Sequence, residues 1–171
     1  MNKLRLICAA GVVAAAFGSA PAEAAPASAQ ANGKAIVLVP LRLTKVQDLD
    51  FGAVVTSAAA GSVTVDPSSG AATPSGGVTL VGTTSSAAQF YFAGTANQQV
   101  NFSITSSLPI LLSDGAGNTL PLTALNLSSA TATVDPTTLT VQVGVGGTID
   151  VNANQMDGIY TGQFDVTANY N

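Results

Sequence analysis

The chain ends on GIYTGQFDVTANYN, residues 158–171. From Tyr160 onward every even position is apolar or small: Tyr160, Gly162, Phe164, Val166, Ala168 and Tyr170. The odd positions between them, Thr161, Gln163, Asp165, Thr167 and Asn169, are polar. A period of two puts one face on a core and the other in water, so the stretch predicts a half-buried final strand.

Working back from that strand, the same signal repeats in short pieces. SVTVD stops at Pro67, and a loop rich in Gly, Ser, Ala and Pro runs to Gly77. VTLVG, AQFYFAG and QVNFSIT read as successive strands. PILLSDGAGNTLPLTAL reads as a hairpin around Asp114-Gly115, and LTVQVGVGGTIDVNA as two strands pivoting near Gly146-Gly147. Phe90, Tyr91 and Phe92 alternate, so they point to two faces. Past the first residues no window carries a 3.6-residue period. About ten short strands at close spacing predict an all-β, antiparallel β-sandwich. TVDPSS (64–69) echoes TVDPTT (133–138), which predicts one strand-exit turn used twice.

The N-terminus has a different character. Lys3 and Arg5 precede an apolar run from Leu6 to Phe17, and Ala22-Glu23-Ala24 has the small-x-small form of a cleavage site. This predicts a secretory signal peptide over residues 1–24, with Cys8 lost in it. Residues 25–34 read as a flexible tail and 35–171 as a single domain. In KAIVLVPLRLTKV the odd positions Ala35, Val37, Val39, Leu41 and Leu43 are apolar, while Pro40 lies on the other face. That pattern predicts an edge strand or a kink.

Charge and chemistry narrow the function. Beyond residue 24 there are three basic residues, Lys34, Arg42 and Lys45, against eight Asp. No basic face for nucleic acid can be built from them. The chain has no His, and its one Cys falls in the leader. That removes the usual general base, the Cys nucleophile and the common zinc ligands, so the expectation is a non-enzymatic protein without cofactor or metal. DGAGN (114–118) lacks the acids of a calcium loop and reads as a turn. GVGG (144–147) precedes a strand, unlike a phosphate loop. No run is long enough to span a bilayer as a helix.

Tyr170 is penultimate and Gly158 is fourteenth from the C-terminus, with alternation between them. In these features the ending resembles the subunits of bacterial chaperone–usher pili. That resemblance implies a pilin-like, immunoglobulin-like sandwich lacking its last strand. It also implies a periplasmic chaperone that reads the C-terminal strand, and a neighbouring subunit's N-terminal segment that fills the gap. Its interface strand would carry Gly158, Tyr160, Phe164, Val166 and Tyr170, and its N-terminal pairing strand Val37, Val39, Leu41 and Leu43. DLDFG (48–52), GGT (146–148) and the Gly-x-Tyr-x-Gly-x-Phe-x-Val-Thr ending (158–167) also resemble an uncharacterised family of secreted bacterial β-domains, the domain of unknown function DUF4402. The leading expectation is a structural subunit of an extracellular fibre or surface coat. It would assemble by β-strand complementation with copies of itself or related subunits, passing through the periplasm to the cell surface. The alternative is a self-contained secreted sandwich acting as a surface or matrix binding module.

Overall fold

A computed structural model describes residues 26–171; the expected signal peptide lies outside the described residues. The chain divides into two units, Met1–Ala35 and Ile36–Asn171. In the first, residues 26–35 are exposed and carry no regular secondary structure. The second holds twelve strands and, among the described residues, no helix. They are β1 (Arg42–Gln47), β2 (Ala53–Val55), β3 (Gly61–Val65), β4 (Ala72–Gly76), β5 (Thr79–Val81) and β6 (Ala88–Ala93), then β7 (Gln99–Ile104), β8 (Ile110–Ser113), β9 (Thr119–Leu127), β10 (Thr131–Thr133), β11 (Thr140–Val151) and β12 (Val166–Tyr170).

All pairings are antiparallel. The large sheet runs β1-β6-β11-β3-β4, with β9 on β11 and β8 on β9. A second sheet runs β10-β7-β12, and β2 pairs β5 in a small ribbon. Phe90, Phe92, Val143 and Val145 from the large sheet share one buried cluster with Val100, Phe102 and Val166 from the second. The Phe92 and Phe102 rings meet there with centroids 4.6 Å apart. The architecture is therefore sandwich-like: each sheet is apolar on one face, and the two faces cover each other. Tyr91, between Phe90 and Phe92, points outward and is 39% exposed. A second cluster, Val63, Val78, Leu112, Leu120, Leu122, Ile149 and Val151, fills the other end of the large sheet.

One long strand joins these clusters. Where the sequence predicts two strands around Gly146, β11 is continuous over 12 residues. Its first half, Thr140 to Val145, pairs with β6, and its second half, Gly147 to Val151, pairs with β3. The opposite edge pairs with β9 between Val145 and Ile149. The exchange of partner falls at Gly146. A Cβ on Gly146 would collide with the Val65 carbonyl oxygen, and one on Gly144 with that of Pro67. These glycines do not break the strand. They let the main chain leaving β3 lie directly on it.

Two further expectations are corrected. The stretch before Gly77 is not all loop but contains β4, which forms an outer edge on β3. Pro74 is tolerated there because an edge residue can do without a ladder N–H. The alternation from Ala35 does not give a strand until Arg42. Arg42 already faces Ala93, the last residue of β6, so nothing remains upstream for the chain to pair with. Pro40, which has no N–H, stands at the break.

The two DP turns have one geometry. Asp66 Oδ1 accepts the N–H groups of Ser68 (2.9 Å) and Ser69 (2.7 Å). Asp135 Oδ1 accepts those of Thr137 and Thr138 (2.8 Å each). Each turn closes with the fifth residue donating to the aspartate carbonyl, Gly70 to Asp66 and Leu139 to Asp135, at 2.9 Å. That fifth residue is left-handed, with φ 71° at Gly70 and 58° at Leu139. Glycine adopts this conformation freely, whereas a leucine is strained in it. Leu139→Gly is therefore expected to stabilise the domain by about 0.5–1 kcal/mol, read as a raised denaturant midpoint. A lowered midpoint would show that the leucine side chain contributes more than its backbone strain costs.

Candidate functional site: an unpaired edge beside an apolar trough

The final strand is shorter than its alternation. β12 covers Val166–Tyr170, and before it Gly158 to Asp165 runs without a ladder. Its one bridge is Thr161 to Ser113, with both main-chain bonds at 2.9 Å. The reason lies in the partner. β7 ends at Ile104, and the last main-chain bond to this side is Thr105 N–H to the Asp165 carbonyl (3.0 Å). The parity of side chains nevertheless holds along the whole stretch. Tyr160 packs on the second cluster, while Phe164, Ala168 and Tyr170 pack around the buried Val166 of the first. Phe164 meets Phe90 edge-on, with centroids 6.3 Å apart. A Cβ on Gly162 would press into Leu112 of β8, so the glycine lets this segment lie close against β8 beside its single bridge.

Within the second sheet β12 pairs only with β7. Its other edge has no partner among the described residues. Asn171 N–H bonds to the Gln99 carbonyl (3.0 Å), which fixes the phase of the ladder. In an antiparallel pair the main-chain groups alternate between partner and outside. Those of Val166, Ala168 and Tyr170 therefore face outward, and such an edge is a template for a further strand.

An open trough of about 1000 Å³ is lined by the segment that leads into β12, as far as Phe164. One wall is residues 48–56 and the other is residues 155–164. Leu112, Leu120, Leu122, Ile149 and Val151 line its floor. The Asn154 N–H to Ser57 carbonyl bond (2.8 Å) ties the two walls together at one end. Tyr160 braces the second wall: its hydroxyl donates to the Met156 carbonyl (2.8 Å) and accepts from Gln155 Nε2 (2.9 Å). Gly158 stands against the 114–118 loop, where its Cβ would lie 3.3 Å from that of Asp114. Asp114 itself is occupied by its own turn, accepting from Ala116 N, Asn118 N and Asn118 Nδ2 (2.8, 3.0 and 2.6 Å). The Asn118 amide, followed by these main-chain bonds, holds its carboxyl below the usual range. The Asp66 and Asp135 carboxyls are lowered likewise, chiefly by the N–H groups of Ser69 and Thr138.

The penultimate tyrosine connects the two ends of the domain. Tyr170 Oη donates to the Val39 carbonyl and accepts the Thr95 N–H, each at 2.7 Å. Val39 N–H in turn donates to Thr95 Oγ1 (2.8 Å). Gly94 makes room for this clamp, since a Cβ there would lie 2.5 Å from the Tyr170 hydroxyl. Of the expected N-terminal pairing residues, Leu41 packs on the first cluster and Leu43 sits in β1 opposite Phe92. Val37 and Val39 lie outside any strand and are 91% and 60% exposed, with Ile36 beside them at 66%. The trough and the tyrosine clamp are not legible from the alternation alone. Their nearest sequence signals are DLDFG and the GxYxG spacing, which fall on the two trough walls.

The family model described as Domain of unknown function (DUF4402) matches residues 41–170. The chain belongs to this family. No curated protein and no solved structure matches it. The matched span of the DUF4402 domain begins at Leu41, where the chain first packs on the core, and ends at Tyr170. The exposed Ile36, Val37 and Val39 precede that span.

Proposed function

We propose that this DUF4402 protein is a non-enzymatic structural subunit of an extracellular fibre or surface coat, with an immunoglobulin-like, pilin-like sandwich. It assembles by β-strand complementation with copies of itself or related subunits, after export on its signal peptide and passage by a periplasmic chaperone. The observation that carries the reading is the outward edge of β12, together with the segment before it that walls a trough with an apolar floor. An extended apolar strand laid there would gain main-chain bonds along the edge and bury side chains on the floor. Ile36, Val37 and Val39 provide such an apolar segment on the same chain: their side chains are exposed and they lie outside any sheet, though Val39 must leave the tyrosine clamp to act as a donor.

The test is the size and melt of the chain purified without partners. Multimers that survive detergent, or aggregation rescued by a synthetic peptide of residues 34–43, are the expected result. A monodisperse monomer with one cooperative melt, unchanged by the peptide, would overturn the reading and favour a self-contained binding module.

A further inference from the structure

We propose that Asn32 is a site of spontaneous modification, converting through a cyclic imide to aspartate and isoaspartate. Asn32 and Gly33 are adjacent, exposed and outside any regular structure. A Cβ built on Gly33 would have nothing within 4 Å, so the surroundings place no wall against the rearrangement. Glycine also leaves its own nitrogen unshielded and gives the backbone the freedom to bring that nitrogen onto the asparagine side chain.

The step balances without any co-reactant but water. The Gly33 backbone nitrogen attacks Cγ of Asn32. The N–Cγ bond forms, the Cγ–Nδ2 bond breaks, and ammonia leaves carrying the proton lost from the Gly33 nitrogen. Water then opens the five-membered imide at either carbonyl. One opening restores a normal main chain with aspartate, and the other adds a methylene to the main chain as isoaspartate.

The rest of the chain explains why the reaction is selective. The other asparagines among the described residues are followed by Gln, Phe, Thr, Leu, Ala or Tyr, or end the chain, and never by Gly. Asn101, Asn126 and Asn169 also lie in strands, where ladder bonds hold the backbone. The Asp114-Gly115 pair is locked, because the carboxylate is bonded within its loop and Gly115 N–H donates to Ser113 Oγ (3.1 Å). Asp157-Gly158 has no side-chain amide, so it has no ammonia to lose. The product places a carboxylate two residues before Lys34, at the root of the exposed Ile36–Val39 segment. The charge and main-chain length there change with the age of the molecule.

The experiment is to hold the purified full chain in mildly alkaline buffer at physiological temperature and to follow tryptic fragments by mass. The fragment ending at Lys34 has Asn32 as its one asparagine. It is expected to gain the mass of an amide-to-acid exchange and to split into two isomers, while the single fragment of residues 46–171, which carries the other described asparagines, keeps its mass. Gly33→Ala is expected to slow the conversion by about tenfold or more, since the added methyl shields the attacking nitrogen. The proposal is overturned if the fragment stays intact over the period in which a synthetic peptide of residues 28–36 converts, if that peptide itself does not convert, or if the 46–171 fragment gains acid at a comparable rate.

Discussion

Gly146→Ala is expected to destabilise the domain by about 3 kcal/mol or more, which is a large share of the ~5–15 kcal/mol that holds a typical domain folded. The added methyl meets the Val65 carbonyl oxygen and the Pro67 nitrogen, which are main-chain atoms that cannot rotate away. Relief requires β3 and β11 to separate where β11 exchanges β6 for β3, and that junction joins the two buried clusters. The measurement is the denaturant midpoint beside that of Gly33→Ala, whose methyl would meet no atom within 4 Å and should leave stability unchanged. A Gly146→Ala midpoint within error of the wild type would show that the partner exchange is not tightly packed.

The second large effect concerns assembly. Val37→Asp combined with Val39→Asp is expected to weaken self-association by about 100-fold or more, since burying each valine is worth roughly 1.5–2 kcal/mol and a charge in its place opposes burial. The monomer should melt as before, because both side chains are mostly exposed and the clamp on residue 39 uses only main-chain atoms. Multimers that persist at wild-type strength in this variant would remove the Ile36–Val39 segment as the donor. Lost association accompanied by a lowered melt would assign the two valines to their own domain instead.

The sequence carried the strand periods well and the pairing less well. Tyr160 to Tyr170 kept its parity because each even side chain found one of the two cores. That same parity overstated the strand, since hydrogen bonding depends on how far β7 extends, and β7 stops at Ile104. At Ala35 to Leu43 alternation predicted an edge strand or a kink; β6 has no length left after Ala93, and the chain breaks at Pro40 before β1 begins. At Gly144 to Gly147 glycine suggested a break, and the reverse was true: the small residues mark where another backbone presses on a continuous strand. The repeated DP turn was legible because its bonds are local, from an aspartate to the next three residues. The trough was hidden because its floor comes from β8, β9 and β11, and its walls are separated by about a hundred residues of chain.

β11 also bears on the order in which the fold can form. β6, β3 and β9 have no common neighbour other than this strand. Before residues 140–151 are available, the large sheet exists only as the β3–β4 and β8–β9 hairpins and the β1–β6 pair, beside the separate β2–β5 and β7–β10 pairs, and these pieces have no strand to join them. Contacts of such long sequence separation form slowly, and the chain stays open and adhesive while they wait. A chain emerging N-terminus first must therefore be nearly complete before either core can close. The interval in which it most needs shielding from other chains is set by the position of one strand in the sequence.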